Sequence, residues 1–222
     1  MSDLVVIVPS RNRAHVVKDL RAAFEATCTA DTNLRIVVDR DDPTAGLYPE
    51  PKQVGDHRSM VDALNREALI AAGGSSRAIA FMGDDHRPRT VGWDAAYLDA
   101  LEKLPGLVYG NDLIQGANLP TQVAMTAEVV RALGHMAPPP LTHLYVDNYW
   151  RDLGHATGCI TFLSDVVVEH LHPVVGKASW DEGYRRVNDE AMYDKDAAAY
   201  ATYWAQHGAG DVAAVCKAVA RG

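Results

Sequence analysis

Two adjacent aspartates and a histidine, Asp84-Asp85-His86, come after an apolar run from Ala78 to Met82 and a glycine, Gly83. Hard oxygen donors clustered in this way suit Mg²⁺ or Mn²⁺ carrying a phosphorylated substrate. The run before them reads as an inner strand of a parallel sheet. Gly83 permits a sharp turn at its end. Asp84, Asp85 and His86 then fall at the carboxyl edge of the sheet, where open α/β folds bind ligands. The competing reading is an acidic turn capping a helix that begins near Trp93, because Asp is a common turn and cap residue.

Charge also gathers at two earlier strand ends. Leu4 to Val8 is apolar throughout and ends in Pro9-Ser10-Arg11-Asn12-Arg13. Pro9 is expected to stop the strand ladder and Ser10 to cap the next helix. His15 to Ala26 has helical spacing, with Val16, Val17, Leu20, Ala23 and Phe24 on one face. Arg11 and Arg13 therefore lie between a strand end and a helix start, where two guanidiniums beside free amides would bind a diphosphate. Solvated surface arginines are the plainer alternative. Leu34 to Val38 is a second strand, ending in Asp39-Arg40-Asp41-Asp42-Pro43. An acid at such an end commonly accepts hydrogen bonds from a nucleoside; turn chemistry before Pro43 explains it equally.

The scaffold around these groups can be traced along the chain. Residues 43–57, rich in proline and glycine, read as a loop. Met60 to Ala72 is a helix stopped by Gly73-Gly74. Trp93 to Leu104 is an amphipathic helix, Leu107 to Tyr109 a short strand, and 113–123 a loop. Ala127 to Leu133 is helical, with His135 just past its end, and Pro138 to Pro140 form a stiff connector. A helix over 143–153 begins near Asp147. Cys159 to Phe162 and Val166 to His172 are strands, the second placing Val166, Val168, His170 and His172 on one face. Tyr184 to Ala205 and Asp211 to Val219 are helices. Alternation of strands and helices in the first half predicts an α/β fold: a mostly parallel central sheet with helices on both faces.

The 222 residues support one large core, and a single domain over 1–222 is expected. A net charge of −8 argues against a nonspecific nucleic-acid binder. Cys28, Cys159 and Cys216 are widely spaced and show no zinc or disulfide pattern. A reducing, cytoplasmic setting is expected, the host cytoplasm if the chain is phage-encoded. The opening Met-Ser-Asp has no signal-peptide character, and no apolar run of about 18 residues spans a membrane.

With these residues placed, the chain resembles the GT-A-fold glycosyltransferases, close to family 2, over roughly its whole length. Val6 to Arg13 looks like that family's opening nucleotide-binding strand and loop. Val37 to Asp42 looks like its second strand, whose acid contacts the base. Phe81 to His86 stands where the family has Asp-x-Asp, although Gly83 replaces the first aspartate. Tyr145 to Trp150 matches the region supplying the catalytic acid, and Val168 to Pro173 the late histidine completing the metal site. The last third, with Lys177, Asp181 and Tyr184, is similar to small bacteriophage glycosyltransferases.

The resemblance implies a Rossmann-like GT-A domain, with a nucleotide-sugar half at 1–112 and an acceptor and metal-completing half at 113–222. Asp85, with His170 or His172, would hold Mn²⁺ or Mg²⁺, with Asp84 in the ribose or bridging place. The histidine leans the choice to Mn²⁺. Arg11, Arg13 or Arg58 would add positive charge, and Asp39 would fix the nucleoside. Pro9 to Arg13, Asp39 and Asp84 would span a nucleoside-diphosphate sugar, UDP-linked by preference. Asp147 would be the general base of an inverting transfer; a helix N-cap is its plainer role. Trp93 and Trp150 are candidates for stacking on sugars, but large aromatics more often fill cores. The acceptor is open: a glycan, a protein, a metabolite or a modified base of phage DNA. Rival expectations are a retaining enzyme of the same fold, a sugar-nucleotide nucleotidyltransferase and a non-catalytic carbohydrate-binding domain. The absence of glycine from Pro9 to Arg13 disfavours the nucleotidyltransferase and a dinucleotide dehydrogenase.

Overall fold

The computed structural model describes residues 2–220. Its frame is an eight-stranded sheet in the order β3-β2-β1-β4-β7-β6-β8-β5. The strands are β1 (Leu4–Ser10), β2 (Thr32–Asp39), β3 (Lys52–Gly55), β4 (Ala78–Phe81), β5 (His86–Pro88), β6 (Leu107–Asn111), β7 (Val123–Thr126) and β8 (Ile160–His170). Parallel pairing joins β3, β2, β1 and β4, and again β6 and β8. β7 runs antiparallel between β4 and β6, and β5 antiparallel against β8. The helices are α1 (Ala14–Thr27), α2 (Met60–Ala72), α3 (Trp93–Lys103), α4 (Ala127–Leu133), α5 (Val146–Thr157), α6 (Glu182–Val187) and α7 (Glu190–Val219).

Side chains of a strand alternate between faces, and the core divides accordingly. Val5 and Ile7 of β1, with Ile79 and Phe81 of β4, pack against α2, α4, α5 and α7. Leu4, Val6 and Val8, with Ala78 and Ala80, pack against α1 and α3 through Leu20, Phe24, Trp93 and Tyr97. Helices thus cover both faces, as the alternation predicts. Burying one such aliphatic side chain stabilises the fold by about 1.5–3 kcal/mol.

The structure differs from the sequence reading in places that matter to the site. β1 continues through Pro9, which pairs with Val37 as far as Cα register goes. Ser10 caps nothing: the N-cap of α1 is Arg13, without a capping side chain. A strand, β3, lies in the expected loop 43–57, and β7 begins at the end of the expected loop 113–123. The two late strands are one, β8, which ends at His170 and leaves His172 beyond the sheet. The helix expected over 184–205 breaks at Asn188, because Asp189 starts a new helix by accepting the Met192 N–H at 2.7 Å. That new helix, α7, absorbs the expected last one.

β8 carries an irregularity that aims its end. While β6 advances one residue from Gly110 to Asn111, β8 advances four, from Leu163 to Val167. The surplus residues bow over Gly110, where a Cβ would stand 2.5 Å from the Val166 carbonyl oxygen. Such bulges bend and twist a strand. The bent end meets β5, so that His86 and His170 are direct cross-strand partners. Among the described residues, no helix is long and apolar enough to cross a membrane.

Candidate active site

A cleft of about 780 Å³ opens at the carboxyl ends of β1, β2 and β4. Every residue expected to bind the donor, hold the cation or act as the base lines it: Pro9, Ser10, Arg11, Arg13, Asp39, Arg58, Asp84, Asp85, Asp147, His170 and His172. Their surroundings within it differ.

At the β1 end, Arg11 lies 3.0 Å from Asp39 and forms a two-pronged pair with Asp41. The other Asp39 oxygen meets His57 Nδ1 at 3.0 Å. Arg13 donates to Asp84 at 2.6 Å, and its Nε lies 3.1 Å from Asp181. Ser10 Oγ donates to Asp84 at 2.5 Å. Arg58 is different: its guanidinium pairs with Asp62 at 3.2 Å and the side chain is 86% exposed, at the rim.

The two adjacent aspartates diverge electrostatically. Asp84 is buried, and burial pushes its carboxyl up to about 6 against the pull of Arg13. Burial opposes ionisation of Asp85 too, but its hydrogen bond with His170 and the charge of that ring hold it well below the usual carboxylate range. Asp85 therefore stays charged while Asp84 takes the first proton, the usual outcome for neighbouring acids in unlike surroundings. Burial, then the nearby His170, hold His86 below the ordinary imidazole value. Burial works the same way on His170, but Asp85 outweighs it and raises that ring.

Asp85, His86 and His170 each offer a ligand atom, all within 4.8 Å of one another. The His86 and His170 rings stack at 4.3 Å. Thr121 donates to Asp112 at 2.9 Å, which leaves its oxygen to accept from His86 Nε2 at 3.4 Å. That chain selects the tautomer whose Nδ1 lone pair faces Asp85, 3.3 Å away. A charged carboxylate and a neutral imidazole nitrogen are what a divalent ion needs, and the mixed N/O set fits Mn²⁺. His172 is not part of this cluster. Past the end of β8, its Nδ1 accepts the Val174 N–H at 3.3 Å. The one-face pattern expected for 166–172 fails because the strand stops two residues short. His86 is the member that the sequence reading left without a role. Its signal, adjacency to the two aspartates, gave no hint that three residues would form a strand against β8.

Asp147 lies in the first turn of α5 and lines the cleft. It is not the N-cap, which is Tyr145 at φ 64°. Its carboxylate accepts the neighbouring Asn148 N–H, at 2.9 Å. Burial raises its pKa, and the backbone N–H groups of Asn148 and Asp147, then Arg151 and His170, offset this only in part. The loop before it is held by Asp196 of α7, a fully buried carboxylate that accepts the N–H groups of Thr142, His143 and Leu144 at 2.8–3.2 Å. Trp93 and Trp150 are core residues, Trp150 donating to the Met136 carbonyl at 2.8 Å. Neither lines the cleft. Tyr145 does, stacked on Tyr200 with ring centres 6.0 Å apart. His135 is buried, with Nε2 2.8 Å from the Tyr203 hydroxyl. Lys177 pairs with Glu169 at 2.9 Å.

No protein-family model matches the sequence, and a search of curated proteins finds no match. Solved structures do match. The mannosyltransferase PcManGT from Pyrobaculum calidifontis, in complex with GDP-Man and Mn²⁺, is 13% identical, with a TM-score of 0.62 over 99% of this chain and 74% of that one. Glucosyl-3-phosphoglycerate synthase from Mycobacterium tuberculosis, in complex with Mn²⁺, UDP and phosphoglyceric acid, is 14% identical, with a TM-score of 0.56 over 78% and 72%. S. aureus TarS 1-349 in complex with UDP is 11% identical, with a TM-score of 0.54 over 75% of this chain and 59% of that one. At such identities the likeness is one of architecture: the chain has the GT-A, Rossmann-like fold of these glycosyltransferases.

Proposed function

We propose that this protein is a divalent-cation-dependent glycosyltransferase acting on a nucleoside-diphosphate sugar, with an acceptor hydroxyl as nucleophile and inversion at the sugar. One observation carries the reading. A single cleft holds arginines and Asp39 at the first two strand ends, the Asp85–His86–His170 set beside them, and a half-buried, weakly partnered carboxylate, Asp147, on a separate element.

Each residue's role is set by its surroundings. Asp39, at the end of β2, accepts from the base, with His57 fixing its orientation. Arg13 supplies positive charge beside the acidic pair, and Arg11 does so nearer the nucleoside. Arg58 adds only its field from the rim. Asp84, at the ribose side, is fixed by Ser10 on one oxygen and Arg13 on the other and offers its remaining lone pairs as acceptors. A bound cation would neutralise charge on the leaving diphosphate as a Lewis acid. Asp85, His86 and His170 would hold it, with Mn²⁺ preferred to Mg²⁺. Asp147 takes the acceptor's proton; a base whose pKa rises toward the working pH suits that transfer. In chain terms, residues 1–112 form the donor half and 113–222 the acceptor half.

UDP is the favoured donor nucleotide, because two of the structural neighbours were solved with UDP. The acceptor is a glycan, a protein, a metabolite or a modified base of phage DNA. Calorimetry with UDP, GDP, CDP and TDP in the presence of Mn²⁺ tests the donor site. Binding of one diphosphate with micromolar affinity supports the reading, and binding of none refutes it.

A further inference from the structure

Tyr184 is the third residue of α6, a helix of six residues capped by Asp181, whose carboxylate accepts the Tyr184 N–H at 2.8 Å. Its side chain is 4% exposed and reaches Asp85, Arg13 and, more distantly, the Leu171 carbonyl oxygen, 3.2 Å from the hydroxyl. The hydroxyl donates to Asp85 Oδ2 at 2.8 Å, the oxygen that also faces His170 Nε2 at 3.3 Å. The ring lies under the Arg13 guanidinium, 4.1 Å from its centre. Arg13 is held from the other sides by Asp84 at 2.6 Å and Asp181 at 3.1 Å. One aromatic side chain therefore touches both the carboxylate of the cation set and the arginine beside it.

We propose that Tyr184 is a positioning residue that orients Asp85 for the cation and couples that seat to Arg13 on the diphosphate side. The proposal rests on the functional reading above. The carboxylate of Asp85 can rotate, and a donor on Oδ2 selects one rotation. Groups that orient a metal-binding side chain in this way change metal affinity about 10–100-fold when removed. The guanidinium over the ring is a separate contact, electrostatic and dispersive, worth more when desolvated. The two contacts sit on different atoms of Tyr184, so they can be removed one at a time.

Tyr184→Phe deletes the hydroxyl and keeps the ring. Tyr184→Leu deletes both contacts. Asp181→Asn keeps an N-cap for α6 but takes the charge from beside Arg13. Two titrations are read: Mn²⁺ alone, by the paramagnetic resonance of free ion, and UDP alone, by calorimetry in EDTA. Expected for Tyr184→Phe is a loss of Mn²⁺ affinity of about 10–100-fold with UDP affinity unchanged. Tyr184→Leu should lose both, and Asp181→Asn should weaken UDP while leaving Mn²⁺ as in the wild type. Wild-type Mn²⁺ affinity in Tyr184→Phe overturns the proposal. So does an equal loss of Mn²⁺ affinity in Asp181→Asn, which would mean that α6 shifts as a whole. A wild-type protein that binds neither probe refutes the functional reading itself. Melting curves of each variant separate loss of the seat from loss of the fold.

Discussion

Replacing Asp147 with asparagine should make the protein more stable and nearly inactive at the same time. The carboxylate is half-buried, the Asn148 N–H donates to it, and partial burial raises its pKa. A carboxyl whose pKa is higher folded than unfolded favours the native state while protonated, and that advantage is lost as pH climbs through the folded value. At pH 7 the wild type bears the cost of a partly desolvated charge that the neutral amide avoids. The amide oxygen can still accept the Asn148 N–H, so nothing in the packing offsets the gain. The melting temperature of Asp147→Asn should therefore exceed the wild type's at pH 7. The difference should vanish on acidification toward pH 3, where both are neutral. Turnover should move the other way. General-base help of about 10²–10⁴-fold corresponds to roughly 2.7–5.4 kcal/mol of barrier at about 1.36 kcal/mol per decade. The limb of the pH–rate profile that rises with ionisation of Asp147 should disappear with it. The assays are scanning calorimetry across pH 3–8 and release of nucleoside diphosphate from the donor found by titration. A variant with most of its turnover, or one less stable than the wild type at pH 7, would refute the reasoning. So would a product with the donor's anomeric configuration, since inversion demands the opposite one.

The same geometry makes further outcomes testable. His86→Ala removes one of the three clustered ligand groups and should weaken Mn²⁺ by at least tenfold in a direct titration, while His172→Ala, outside the cluster, should change it by less than twofold; equal losses would reinstate His172. Asp196→Ala leaves the N–H groups of Thr142, His143 and Leu144 without their buried acceptor. At about 1–3 kcal/mol per unsatisfied group, reduced by water entry, the cost should be about 3–5 kcal/mol. For a chain of this size that lowers the melting temperature by roughly 6–20 °C, and a shift below about 3 °C would contradict the assignment.

Legibility in the sequence tracked the length of the signal. The apolar runs at Leu4 to Val8 and Ala78 to Met82, each buried on both faces, specified the central strands. From them came the cleft's position and the gathering of Arg11, Arg13, Asp39, Asp84 and Asp85. Shorter elements left no periodicity to read: β5 has three residues, and β3 hides among prolines and glycines. His170 and His172 looked equivalent because a two-residue period says nothing about where a strand stops. The stop is set by the turn of Pro173–Val175, whose Val174 N–H His172 accepts. The pairing of His86 with His170 depends on the surplus residues bowed over Gly110, a relation between two distant strands that no local window contains. Asp196 was silent for a similar reason: nothing around it in α7 marks it as the anchor of a loop about fifty residues earlier.

The cross-strand pairing of His86 with His170 joins positions 84 residues apart in the chain. Closing so long a loop has an entropic cost, and the seat needs both of its strands in place. The cation seat therefore exists only once β5 and β8 have paired. An ion in solution finds no partial seat to grip on a half-folded chain, and a nascent chain still short of β8 has none at all. Mn²⁺ should therefore slow unfolding, where the seat is intact at the start, and leave the rate of refolding unchanged.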